Sequence, residues 1–202
     1  MKFYEMFSIW LDILIGYFLA DFLVGIFHWV KDTYFSPFTP IIGKIYIWWS
    51  RLHHVRPRDI LKASDFELFK SSGLWTMMWM GPLFYWFGLD VLLVTLFLMI
   101  SVNDVIHKYS HMSDSEAPRC VKKLQDWLII QGHDEHHQHH IHPHEINYCS
   151  NTPYLNSILE RIRFWRRLES IIERLTGAKP RAIEYEYVDD DTYPSGIKFL
   201  PQ

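Results

Sequence analysis

Seven of the chain's twelve histidines fall in fourteen residues, "GHDEHHQHHIHPHE", Gly132 to Glu145. Within that stretch His136, His139 and His140 are spaced i, i+3 and i+4, which puts all three on one helical face and lets them point at one centre. Elsewhere His28 and Asp32 are spaced i, i+4, as are His107 and His111, a separation of about 5 to 6 Å between Cβ atoms that suits a shared metal ion. His53 and His54 are adjacent and diverge by about 100° on a helix, which suits two metals better than one. Eight histidines and a carboxylate exceed what one ion needs, and fit a pair about 3.5 to 4 Å apart with positions left open for substrate or dioxygen. Imidazole-rich ligation without thiolate suits iron, zinc, copper or nickel, so residue types alone leave the metal open. The ligands must be neutral, so affinity is expected to fall at acid pH. Pro143 interrupts the pattern, with His144 joining as a further ligand from a loop, while His133, His137 and His142 read as polar filler. Taken alone, the stretch also fits a metal-sequestering loop.

The elements that must position these residues are apolar. Phe7 to Val30 carries only Asp12, Asp21 and His28 as ionisable groups and is long enough to cross a hydrocarbon core of about 30 Å. A signal peptide is the rival reading, disfavoured by the length of the run and by the lack of a small-residue cleavage site. Leu74 to His107 is too long for one crossing and reads as a helical hairpin turning at Gly88 to Asp90, its outgoing helix starting upstream near Phe66 and its return helix running to His111. Basic residues concentrate in the two polar segments, so the positive-inside tendency places both on the cytosolic side. The four histidine groups then share one membrane face. Asp21, Gly25, His28 and Asp32 form a polar stripe in an apolar helix, and intramembrane ionisable groups mark function by default. Ile41 to Leu52 reads as an interfacial helix, and Tyr154 to Leu175 either as another or as a helix packed on the cap.

The fold expected is all-α: a multi-pass membrane protein with spans at about 7–30, 66–87 and 91–111 and a cytosolic, histidine-rich di-metal cap from 31–65 and 112–182. An acidic mobile tail is expected over 183–202. Aromatic residues make up 17%, more than one small core absorbs and typical of membrane interfaces. Net charge of −3 argues against nucleic acid as a partner, and two cysteines fit a reducing compartment rather than a disulfide framework. The near-zero mean hydropathy is an average over apolar and charged blocks.

"ADFLVGIFHWVKDTY", "IIGKIYIWWSRLHHVRP", "NDVIHKYSH", "LQDW", "HHQHHIHPHEINYC" and "FWRRLESIIERLTGAKPRA", in this order and spacing, resemble the plasmanylethanolamine desaturase family, also called the Kua or CarF lipid desaturases. The resemblance covers about residues 20–182. It implies a membrane oxygenase with two iron ions that removes two hydrogens from a lipid chain, using dioxygen and electrons from a separate donor such as a b-type cytochrome or a ferredoxin with its reductase. In the plasmalogen branch an ether-linked alkyl chain becomes a vinyl ether, whereas related plant members desaturate a fatty acyl chain. By position, the family's essential histidines match His28, His53, His54, His107, His111, His136, His139 and His140, with Asp32 and His144 as further matches. Where other members read H-H-x-x-H-H, this chain has Glu135 in place of the first histidine. The C-terminal motif follows the plasmalogen branch. The implied location is the endoplasmic reticulum membrane of a eukaryote or the inner membrane of a bacterium, with the site on the cytosolic face. Trp75, Trp79, Phe84, Tyr85 and Trp86 are candidates for the chain's path, and Arg51, Arg56 or Lys108 for a phosphate headgroup. A lipid hydroxylase and a non-enzymatic membrane metal-binding protein are the competing readings.

Overall fold

A computed structural model describes residues 3–141, 143–181, 185–187 and 197–199. The architecture is helical. An uninterrupted helix α1, Phe3–Tyr34, has no proline and is the axis around which the rest packs. After one π-helical turn, Gly43–Ile47, the chain enters α2, Trp48–Val55, so the amphipathic stretch expected over 41–52 is two elements. Helix α3, Asp65–Phe87, starts at a capping box in which the Ser64 hydroxyl accepts from the Glu67 amide and the Glu67 carboxylate accepts from Ser64. It ends at Gly88, whose φ of 78° is costly for any residue with a Cβ. Asp90 then caps the returning helix, its carboxylate accepting from the Leu93 amide at 2.7 Å.

That return is not one helix over 91–111. It divides into α4, Val91–Ser101, and α5, Asn103–Ser110, bent by 41°. The Ser101 hydroxyl donates back to the Phe97 carbonyl at 2.7 Å, a bond that competes with the helical ladder and favours bending just there. Similarly, the expected helix over 154–175 is α8, Tyr154–Arg161, and α9, Phe164–Thr176, separated by Arg163 in the left-handed conformation. Between lie α6, Arg119–Asp126, and α7, His133–His139. Among the described residues of the tail, β1, Tyr185–Tyr187, pairs antiparallel with β2, Ile197–Phe199. The rest of 182–202, like His142, lies outside the described residues.

Among the described residues α1 is long and apolar enough to cross a membrane, and α4 with α5 passes the same test as a bent pair. Two cores flank α1. Ala20, Val24, Met80, Leu96 and Ile100 join α1, α3 and α4, and Trp29, Tyr148, Cys149, Leu159 and Trp165 join α1 to the C-terminal region. That region is not confined to the end of α1. It runs along the helix: Trp29 stacks on Trp165, Phe22 meets Phe164, Phe18 meets Tyr154, and the Tyr17 hydroxyl donates to the Ile129 carbonyl. Gly25 makes the approach possible, since a Cβ there would sit 2.6 Å from Cys149 Sγ. The Asp21 carboxylate accepts from the amides of Asn151 and Thr152 and, at 2.6 Å, from the Thr152 hydroxyl. The polar stripe on α1 is therefore partly a docking edge for the loop 148–152, and Asp21 holds that loop rather than a metal.

Candidate metal centre

The helices bring nine of the ten expected ligands into two adjoining groups. His53, His107, His111, His136 and His140 offer five ring nitrogens that lie within 4.8 Å of one another, and His28, Asp32, His54 and His139 form a second such set. The i, i+4 pairs on α1 and α5 each serve one group. The three expected ligands on α7 and its C-cap do not share a centre: His136 and His140 enter the first group and His139 the second. His53 and His54 are likewise divided, so two adjacent pairs, His53–His54 and His139–His140, tie the groups together.

The first group cannot be held by hydrogen bonds among its own members. His53 Nε2 is 2.9 Å from His107 Nε2 and 3.0 Å from His111 Nε2, and the latter two are 3.1 Å apart. Each nitrogen of this triangle carries either a proton or a lone pair, so in any assignment two of the three are alike and repel. His136 Nε2 adds contacts of 3.1 Å to His111 and 3.0 Å to His140. Five lone pairs aimed at one point are stable only around a cation, so this donor set fits a metal ion.

In the second group Asp32 Oδ2 lies 3.2, 3.3 and 3.6 Å from Nε2 of His28, His54 and His139. That oxygen is fully buried and accepts no well-aligned hydrogen bond. Its partner Oδ1 is occupied by Arg51 Nη1 at 2.7 Å and the Ser50 hydroxyl at 3.2 Å, so Arg51 turns the carboxylate and leaves Oδ2 facing the imidazoles. An oriented, unsatisfied carboxylate oxygen among three imidazole nitrogens again fits a cation. Backbone carbonyls fix the rings from behind: Tyr148 O takes the His28 Nδ1 proton at 3.1 Å, and Ile146 O the His139 Nδ1 proton at 2.7 Å. Both rings are thereby set in the tautomer that presents a bare Nε2 inward.

His144 stands apart from both sets. Its ring stacks on His54 at 4.5 Å and its Nδ1 meets the His139 carbonyl at 2.9 Å, so it braces the second group from outside. His133 and His137 stack on each other, ring centroids 5.6 Å apart, and belong to neither group. Arg51 is buried, and besides Asp32 it donates to the carbonyls of Lys31, Asp32 and Phe35, closing the C-terminus of α1. It is not free for a headgroup. Lys108 is taken by the Ala63 carbonyl and Asp65.

Burial, reinforced by neighbouring imidazoles, holds His53, His54, His136 and His140 below the usual histidine range, so these ligands are neutral at pH 7. Their folded pKa values lie below the unfolded value of about 6.5, so the unfolded chain binds more protons as pH falls through that value. Stability of the metal-free protein is therefore expected to be constant above about pH 7 and to decline below about 6.5, by up to roughly 1.4 kcal/mol per pH unit for each such histidine. Denaturant melts of chelator-treated protein between pH 5 and 8 check this. A flat profile contradicts it.

A cavity of about 610 Å³ runs along α1 from Val24 past His28 to Lys31. Its wall includes His28 from one group and His53 and His107 from the other. Trp75, Trp79, Phe27 and Ile100 supply apolar surface, and Lys31 and Asp104 are the charged non-histidine groups. Trp75 and Trp79 thus line it as expected, but Phe84 packs against Phe97 in the core, and Tyr85 and Trp86 project outward.

A lipid desaturase domain matches residues 17–183. The chain belongs to the lipid desaturase family. Relatives within and around this family include a probable fatty acid desaturase of Acanthamoeba polyphaga mimivirus, 62% identical and covering 94% of this chain and 95% of the relative. Plasmanylethanolamine desaturase 1 of Mus musculus is 35% identical, covering 88% and 69%, and the plasmanylethanolamine desaturase of Myxococcus xanthus is 30% identical, covering 84% and 62%. No solved structure matches. Family membership makes this lipid desaturase an oxidoreductase of lipid metabolism.

Arg51, Ser50 and the carbonyls of Tyr148 and Ile146 complete the site but were not singled out as its parts by the sequence. Arg51 carried a readable signal, a cation one turn from His54 on the same helix. The carbonyls carried none, because every residue has one.

Proposed function

We propose that this desaturase introduces the vinyl-ether double bond into the alkyl chain of a plasmanylethanolamine lipid, at a pair of iron ions. One ion is held by His53, His107, His111, His136 and His140, the other by His28, Asp32, His54 and His139. The observation that carries this reading is the cavity whose wall contains histidines of both groups. A chain lying along α1 from Lys31 to Val24 passes beside both.

When bound, the irons supply dioxygen activation and hydrogen abstraction. In balance, a CH2–CH2 unit, dioxygen, two electrons and two protons give CH=CH and two waters. The electrons come from a separate donor. The chain's own residues bind and orient. Apolar groups of α1, α3 and α4 take the hydrocarbon, excluding water from the ligands. A double bond next to the ether oxygen requires the polar end of the lipid close to the metals, and polar groups are close: Lys31 is one turn from His28, and Asp104, which accepts from the Ser72 hydroxyl and the Asn103 amide, is one turn from His107. Lys31 suits the phosphate. In this reading α1, α3 and the bent pair α4–α5 cross the membrane and the metals lie toward its cytosolic side.

A second reading, desaturation of a fatty acyl chain, is supported by the name and 62% identity of the mimivirus relative. Expression in cells lacking vinyl-ether lipids, followed by lipid mass spectrometry, separates the readings. Ether lipids lighter by two hydrogens and acid-labile are expected. Acyl chains lighter by two hydrogens support the second reading. A hydroxylated chain, or an unchanged lipidome with iron-loaded protein, overturns both.

A further inference from the structure

The turn after α6 presents Trp127, Leu128 and Ile129 to the outside, 60%, 48% and 41% exposed. It is not loose. Leu128 adopts φ 58°, the Leu128 amide donates to Gln125 O and the Ile129 amide to Leu124 O, and just beyond it Gln131 is tied to Asn151 and Cys149. An ordered turn that exposes three large apolar side chains needs a partner. On α8, Tyr154, Ile158 and Ile162 repeat at i, i+4, i+8 and form a second exposed apolar row.

Both features lie far up α1. The turn is bonded to Tyr17 and α8 meets Phe18, ten or eleven residues before His28 and so about 15 to 17 Å along the helix toward its N-terminus. At this level α1, in the reading proposed above, lies within the membrane, and its neighbouring surface, Trp10, Leu11 and Leu14, is exposed and apolar. The turn and the α8 row thus continue a surface that already faces hydrocarbon. Lys123 lies 4.4 Å over the Trp127 ring, and Arg119 and Lys122 sit on the same short helix. Lys122 is held by Asp114 and Asp126, so Arg119, at the end of the helix away from the turn, is the basic group suited to the headgroup layer.

We infer that Trp127–Ile129 and the Tyr154–Ile158–Ile162 row are sunk into the cytosolic leaflet, so that the C-terminal half is partly embedded rather than a cap standing in the cytosol. The partner is the acyl region of the membrane. Backbone of the buried loop 148–152 is tolerated at that depth because its amides are satisfied by Asp21 and by neighbouring protein. The embedded elements fix the depth of both histidine groups relative to the headgroup plane, and so which carbon of a lipid chain reaches the metals. The inference rests on the reading of α1 as a span.

The test uses the full chain in phosphatidylcholine–phosphatidylglycerol vesicles, in a Cys120→Ser background that removes the exposed cysteine and keeps the buried Cys149. Nitroxides are placed singly by Leu128→Cys and Ile158→Cys, with Leu14→Cys as span control and the exposed Lys62→Cys as water control, and their relaxation by oxygen is compared with that by a water-soluble nickel chelate. Labels at 128 and 158 are expected to be favoured by oxygen several-fold, like Leu14→Cys. If they follow Lys62→Cys while Leu14→Cys stays in lipid, leaflet insertion is overturned and the span stands. If they are shielded from both agents, a protein partner covers the surface and insertion is again overturned. A water-like Leu14→Cys overturns the span reading and the inference with it.

Discussion

His139→Ala is expected to abolish desaturation and to remove one of the two metal ions while the five-histidine group keeps its own. His139 is fully buried and is one of four donors of its group, so its loss leaves Asp32 with His28 and His54 only. Its neighbours His136 and His140 belong to the other ion, which still gathers them with His53, His107 and His111. Metal ions contribute several kcal/mol to such chemistry, so the rate should fall on the order of 10³-fold or more. Elemental analysis of the purified variant, beside lipid mass spectrometry of expressing cells, checks both parts. Near-normal product from this variant removes His139 from the site. Loss of both ions indicates that the groups load as one unit.

Arg51→Met is the substitution expected to cost most in stability. Methionine fills much of the volume, but it leaves a buried carboxylate without its cation and three carbonyls at the end of α1 without a donor. Breaking a buried ion pair on one side costs about 3 to 5 kcal/mol, which in a chain of this size lowers Tm by roughly 6 to 20 °C. The variant should also lose metal from the second group, because Asp32 is no longer turned toward His28, His54 and His139. Arg51→Lys should recover part of the stability, since one ammonium can reach the carboxylate but cannot also serve all three carbonyls. Thermal melts of the detergent-solubilised variants decide. An unchanged Tm for Arg51→Met contradicts the structural role assigned to this pair.

The positions that gather at the centre were legible because they lie on helices, where i, i+3 and i+4 spacing is spatial information. Thus His28 with Asp32, and His107 with His111, fall together as their spacing requires. The partition was only half legible. Adjacent His53 and His54 must diverge, but that His139 leaves the face of His136 and His140 to join His28 depends on how α7 docks, which is a tertiary property. The breaks at Val102 and Arg163 were hidden for a similar reason: apolar and amphipathic patterns pass through both positions, and what breaks the helices is a back-bonding Ser101 and a left-handed residue at Arg163 that is not glycine. Asp21 was misleading. A carboxylate in an apolar helix suggests chemistry, yet its partners come from residues 151 and 152, about 130 positions away. Arg51 was misleading in the opposite sense, since a cation near an interface resembles a headgroup ligand until Asp32 is seen beside it.

Counting metal in the intact protein tests the two-group centre most directly. Purified under conditions that retain iron and measured by elemental analysis against amino-acid content, the chain is expected to carry two irons, falling to about one in His139→Ala. A single iron in the intact protein, or a count that His139→Ala leaves unchanged, contradicts it.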